Sequence, residues 1–242
     1  LMNMKDEGQI VYNQDDAILE KVLSPYPLKK QPFSAKSKNV LYKVDNKNII
    51  GPSNDKLLNI DELRIPGEHN LQNFLAASTC SHLMGISQNQ IVKSMKEFKG
   101  VEHRLEYVRT INEVDYINDS KATNIDSVIV AINTYKQPIV LILGGFNKGA
   151  NFRLLLPHIK SSHVRDIVSY GDAGGQINTA LGDAVRSVQV TDLSSAVKKA
   201  QLMAAPGDIV LLSPGCASYD EFSNFEERGN HFKSIIRSLA AS

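Results

Sequence analysis

The stretch "NDSKATN" at residues 118–124 places an acid, two hydroxyls, a lysine and two amides side by side between two apolar segments. Such groups at a strand-to-helix junction can simply cap the helix, and Thr123 or Asn124 alone is enough for that. They can also hold an anion together with the unpaired N–H groups of the helix's first turn, with Asp119, Lys121 and Thr123 facing the ligand. One cap needs one such residue, so the crowding points to binding.

Three further clusters carry similar chemistry. In "GGFNKGANF", residues 144–152, glycines permit close backbone approach and Lys148 can reach an anionic group, although a plain left-handed turn would look the same. The spacing G-x-x-x-x-G-K-[ST] of a phosphate loop is found neither there nor elsewhere in the chain. "SPGCASYDEFSNFEERGNHF" opens as a strand-end turn and runs into a helix on which Phe222, Phe225, Phe232, Ile235 and Ile236 fall at helical spacing, mostly as core. Ser218 is expected at the N-cap of that helix, where its hydroxyl and free N–H groups could bind a carboxylate. Cys216 has no base beside it in sequence, which argues against a nucleophilic thiol.

In "VEHRLE", residues 101–106, Arg104 is either a surface ion-pair former or a planar cation brought to a phosphoryl group from a hinge between domains. Asn70 and Asn73 share one helix face in "GEHNLQN", where two amides could read a base edge or merely start a helix. The six histidines show no H-x-x-x-H spacing, so no metal is assigned to them.

The elements that must hold these groups fall into two patterns. Up to residue 98 they are short and mixed: a strand at "QIVYN", already approached from "LMNMKDEG", a short helix at "DDAILEKVL", a hairpin at "NVLYKVDNKNIIG", and helices ending at Gly85 and starting from Ser87. From about residue 104 comes a hairpin, "RLEYVRTINEVDYIN", then a helix with Ile125, Val128, Ile129 and Ile132 on one face. The short apolar runs "PIVLILGG", "VRDIVSYGD", "VRSVQV" and "GDIVLLSPG" follow, each leading into a helical pattern. That alternation predicts an α/β fold, a Rossmann-like open, mostly parallel sheet with flanking helices, whose ligands bind beyond the carboxyl ends of its strands.

Composition sets the outer bounds. The 242 residues carry 27 Lys and Arg against 26 Asp and Glu, so no field of one sign argues for nucleic acid or an anionic membrane surface. No apolar run approaches the roughly 20 residues of a membrane span. Two cysteines do not make a disulfide framework, and a reducing cytoplasm is the simpler expectation.

In this order and spacing, "GEHNLQNFLAA", "GVEHRLE", "NDSKATN", "GGFNKGANF" and "SPGCASYDEFSNFEERGNHF" resemble the Mur ligases, and within them the branch that adds D-glutamate. The resemblance runs from "IVYNQDD" to the C-terminus and implies ATP-dependent amide bond formation in peptidoglycan synthesis. ATP phosphorylates the carboxylate of UDP-N-acetylmuramoyl-L-alanine, and the amine of D-glutamate attacks the acyl phosphate. It further implies Asn70 and Asn73 at the adenine, Asp119 at the ribose, and Arg104 and Lys121 as catalytic cations by the phosphates. Thr123, Lys148, Ser218, Tyr219 and Phe225 would surround D-glutamate.

The implied organisation is the C-terminal portion of an α/β ATP-binding central domain over residues 1–99 and a C-terminal domain over residues 100–242. ATP and Mg²⁺ are the implied cofactors. The phosphate loop, the metal ligands and the UDP-binding domain are expected upstream of Leu1, so the chain alone is expected to be an inactive, monomeric, cytoplasmic fragment of an enzyme tied to cell wall growth and division. Asn147 stands where the resemblance leads one to expect Asp, which puts a local charge in doubt. Alternatives are a sister or folylpolyglutamate-type ligase taking another amino acid, a non-catalytic nucleotide- or amino-acid-binding module, and a generic α/β domain with capped turns.

Overall fold

The computed structural model describes Met4 and residues 8–239, which form two compact units that divide between Lys99 and Gly100. The strand approach expected before Gly8 falls outside the described residues except at Met4.

The first unit opens with β1 (Gln9–Asn13), α1 (Ala17–Leu23) and β2 (Lys29–Phe33), with β1 and β2 paired in parallel. The Asp16 carboxylate caps α1 by accepting from the N–H groups of Ile18 and Leu19. Next comes an antiparallel sheet of β3 (Lys43–Asp45), β4 (Asn48–Ile50) and β5 (Lys56–Asn59). Asn46 and Lys47 both take positive φ, at 45° and 61°, which suits the two-residue turn joining β3 to β4. Two helices follow, α2 (Glu68–Leu83) and α3 (Gln88–Glu97). Gly85, at φ 79°, ends the first in a left-handed turn, and Ser87 starts the second through its contacts with the Gln90 side chain. Phe33, Tyr42, Ile49, Leu58, Phe74, Leu75, Ile91 and Met95 make the core of this unit.

The second unit is the expected open sheet. The hairpin β6 (Glu106–Ile111) and β7 (Val114–Asn118) leads to α4 (Ile125–Thr134), then β8 (Ile139–Gly144), α5 (Leu156–Ser161), β9 (Val164–Tyr170) and α6 (Gly174–Leu181). β10 (Arg186–Gln189), α7 (Leu193–Met203), β11 (Ile209–Gly215) and α8 (Phe225–Ser238) complete it. The six strands run in the order β10-β9-β8-β11-β7-β6, all parallel except the antiparallel β6–β7 edge pair.

β8 shows why the sheet is covered on both faces. Ile139, Leu141 and Leu143 point into one core with residues of α4, α5 and α6, while Val140 and Ile142 point into the other with residues of α7 and α8. A strand wholly buried on both sides reads as an unbroken apolar run, which is how it stood out in sequence.

Candidate functional site

β11 returns to the middle of the sheet, between β8 and β7, after the chain has moved outward through β9 and β10. The loop after β8 therefore leads to one face and the loop after β11 to the other, and ligands of open parallel sheets bind at such a switch point, beyond the carboxyl ends of the strands. Three polar clusters of the sequence lie on the loops after β7, β8 and β11.

Backbone contacts tie these loops into one rim. The Gly215 N–H donates to the Ala122 carbonyl at 2.9 Å, and the Asp119 N–H to the Leu212 carbonyl at 2.7 Å. Phe146 and Ala217 exchange hydrogen bonds of 2.9 and 3.1 Å, joining the loop after β8 to the loop after β11. Gly145 makes that approach possible: it sits at φ 118°, and a Cβ there would run into the Ala217 carbonyl.

On this rim, Lys121 lies with its ammonium 3.8 Å from the centre of the Phe225 ring, and Lys148 lies 4.9 Å from the centre of the Tyr219 ring. Each lysine leaves its own strand end and meets an aromatic supplied beyond β11. Thr123 and Tyr219 are exposed, and Ser218 is buried. Arg104 is exposed on the segment before β6, and its charge is felt by the Asp119 carboxyl.

Asp119 is buried, and burial pushes its carboxyl up to about 7 against the opposing pull of the Ser213 hydroxyl, the Leu105 N–H and Arg104. Its two oxygens accept from Ser213 at 2.9 Å and from the Leu105 N–H at 3.2 Å. Asn70 and Asn73 are on α2 in the first unit, in its first and second turns. The Asn70 amide donates to the Pro66 carbonyl at 2.6 Å.

Two local expectations change. Ser218 does not cap α8: Asn224 does, with its side-chain oxygen accepting from the Glu227 N–H at 2.7 Å. The Ser218 carbonyl instead accepts from the N–H groups of Glu221 and Phe222, so a turn intervenes and Phe222 precedes the helix. Asn224 sits directly before the first helical residue, Phe225, whereas Ser218 lies seven positions ahead of it and takes part in the preceding turn.

Asn147, the departure from the expected Asp, has a structural use. Its oxygen accepts from the N–H groups of Gly149 and Ala150, while its amide donates to Gln176 at 2.7 Å. A carboxylate could keep the first role but not the second.

Sequence reasoning missed a buried polar network beneath the rim. Arg228, fully buried on α8, donates from Nε to the Ser120 hydroxyl at 2.9 Å, from Nη2 to the Ser120 carbonyl at 2.8 Å and from Nη1 to the Cys216 carbonyl at 3.1 Å. The Ser120 hydroxyl in turn donates to the Phe225 carbonyl at 2.8 Å. Nearby, buried Lys233 pairs with Glu102 and, at 3.2 Å, with Glu106, while Asn118 bridges His103 and Glu106. Burial lowers the pKa of His103. The available signal was position: Arg228 falls three residues after Phe225 and four before Phe232, on the stripe that faces the core.

Residues 103–216 match the family model for the Mur ligase, glutamate ligase domain. A UDP-N-acetylmuramoylalanine–D-glutamate ligase of Thermoanaerobacter pseudethanolicus is 41% identical over 249 residues, covering 98% of this chain and 54% of the relative. The protein of that name from Clostridioides difficile is 40% identical, again over 98% of this chain and 54% of its own length. The chain thus spans about half the length of the curated relatives it matches. Among solved structures, a UDP-N-acetylmuramoylalanyl-D-glutamyl-2,6-diaminopimelate–D-alanyl-D-alanyl ligase of Acinetobacter baumannii superposes with a TM-score of 0.68 at 15% identity, over 98% of this chain and 53% of that one. The MurF ligase of Thermotoga maritima, solved with ADP, gives 0.65 at 15% identity over 98% of this chain and 55% of that one. At such identities these structures establish the fold.

Proposed function

We propose, from the premise that this chain carries a Mur ligase glutamate ligase domain, that it is the amino-acid-binding part of an ATP-dependent ligase joining D-glutamate to UDP-N-acetylmuramoyl-L-alanine. The relatives' names and the Mur ligase fold support a ligase of peptidoglycan synthesis. The observation that carries the finer reading is the pair of lysines on the rim, each laid against an aromatic ring at the exit of a central strand. A small dianionic amino acid next to a transferring phosphoryl group needs fixed cations of this kind.

In this reading Lys148, Thr123, Ser218, Tyr219 and Phe225 bind and orient D-glutamate, and its amine faces inward. Lys121 and Arg104 hold charge that develops on the phosphoryl group, and Asp119 accepts from the ribose. The exposed Arg104 and the partly exposed Lys121 fit an anionic phosphoryl group. ATP would supply the phosphoryl group that activates the substrate carboxylate as an acyl phosphate. Among the described residues no group of three or more His, Cys, Asp or Glu could hold a metal ion, so no step here is assigned to Mg²⁺. The residues 1–99 would be the end of the ATP-binding domain, and the chain by itself would not turn over.

Kinetics of the full-length ligase test the assignment. Lys148→Ala should raise the KM for D-glutamate about tenfold or more, the loss of one charge-assisted contact, with the KM for ATP little changed. An unaltered D-glutamate KM in both Lys148→Ala and Thr123→Ala would transfer the chain to a sister ligase that takes another amino acid.

A further inference from the structure

We infer that Arg228 is a positioning residue: its guanidinium sets the spacing between the loop that carries Lys121 and the loop that carries Ser218. The functional consequence rests on the D-glutamate reading above, whereas the geometry stands without it.

A fully buried arginine on a core-facing helical stripe is an expensive choice, because its charge leaves water. Among the described residues no carboxylate lies within ion-pair distance of it. Its donors go instead to the Ser120 carbonyl and hydroxyl on one loop and to the Cys216 carbonyl on another. The hydroxyl it holds passes the contact on to the Phe225 carbonyl.

Lys121 is one residue from Ser120, Ser218 two residues from Cys216, and Phe225 begins the helix that bears Arg228 itself. Three segments of the proposed amino-acid pocket are therefore pinned to one rigid, planar group. A lysine could supply the charge but not a fork that spans two loops.

Hydrogen exchange and kinetics test this together. In the full chain, the Gly215 and Ala217 amides report the loop contacts, and the Leu141 and Ile142 amides of β8 report global unfolding. Arg228→Lys should speed exchange at Gly215 and Ala217 about tenfold, the loss of one or two buried hydrogen bonds, and speed β8 exchange, through the lowered global stability, by no more than that factor. In the full-length ligase, the same variant should raise the KM for D-glutamate by a similar factor, with Arg228→Met worse.

Unchanged exchange at Gly215 and Ala217 overturns the inference, as does an unchanged D-glutamate KM in an enzyme that uses D-glutamate. If the unsubstituted enzyme shows no dependence on D-glutamate, the substrate reading has failed, and the exchange data alone decide the role of Arg228. Should Arg228→Met not fold, the Lys variant carries the test.

Discussion

The Lys121 ammonium stands 3.8 Å from the centre of the Phe225 ring, so the loop after β7 and the first residue of α8 meet through a cation–π contact. The ring holds the lysine in one place without neutralising it, leaving its charge for a ligand. Phe225→Leu keeps apolar bulk and removes the ring face. It should leave the melting temperature nearly unchanged, since Phe225 is half-exposed, and weaken ligand affinity about two- to fivefold, as measured by calorimetry on the full-length ligase. Unchanged affinity would remove Phe225 from the pocket.

At Gly229, α8 packs closely against His103 in the segment leading into β6. A Cβ at this position would run into the His103 ring and approach the Asn118 amide at 3.1 Å. Because both neighbours are buried and bonded to each other, neither can move aside cheaply. Gly229→Ala should destabilise the protein by about 1–3 kcal/mol in a denaturant titration, despite the better helix propensity of alanine.

The Asp119 carboxyl gives a pH dependence. Its folded pKa of about 7 lies above the ordinary value of 3.8, so the folded state binds the proton more tightly than the unfolded state. Stability from this group is complete below pH 4 and is lost as pH rises toward 7, up to about 4 kcal/mol for a shift of roughly three units. Asp119→Asn should flatten that fall between pH 4 and 7, read as the difference between the two proteins' urea midpoints at each pH.

Lys233 offers a further test of the buried network. Its ammonium is buried and pairs with Glu102 and Glu106. Lys233→Met fills the volume but leaves Glu106, itself mostly covered, without its cation. The expected loss is about 2 kcal/mol, and Glu106→Gln in the same background should recover part of it. Additive losses in the double variant would contradict the pairing.

How much of this was legible in sequence depended on the physics of each part. β8 and β11 announced themselves as unbroken apolar runs because both faces of the central sheet are covered. The β3–β4 and β6–β7 hairpins were readable because each joins two short strand patterns, although the first turn falls at Asn46–Lys47, one residue beyond the Asp45–Asn46 pair that the sequence suggested. β2 and β5 were not read: "KKQPF" carries two lysines and a proline, and "KLLN" is too short to show a period.

The rim was visible as clusters, yet its connections were not. Arg228 binds Ser120 across 108 residues of sequence, and no local pattern encodes such a contact. The cap was misplaced at Ser218 because the turn from Ser218 to Phe222, which comes before the helix, was not read from the sequence.

The most direct test of the account is a titration of D-glutamate into the isotope-labelled full-length ligase, followed by amide chemical shifts. The account predicts saturable shifts confined to residues 119–124, 145–150 and 215–225, with L-glutamate producing much smaller ones. Shifts centred elsewhere, or equal responses to both enantiomers, would contradict it.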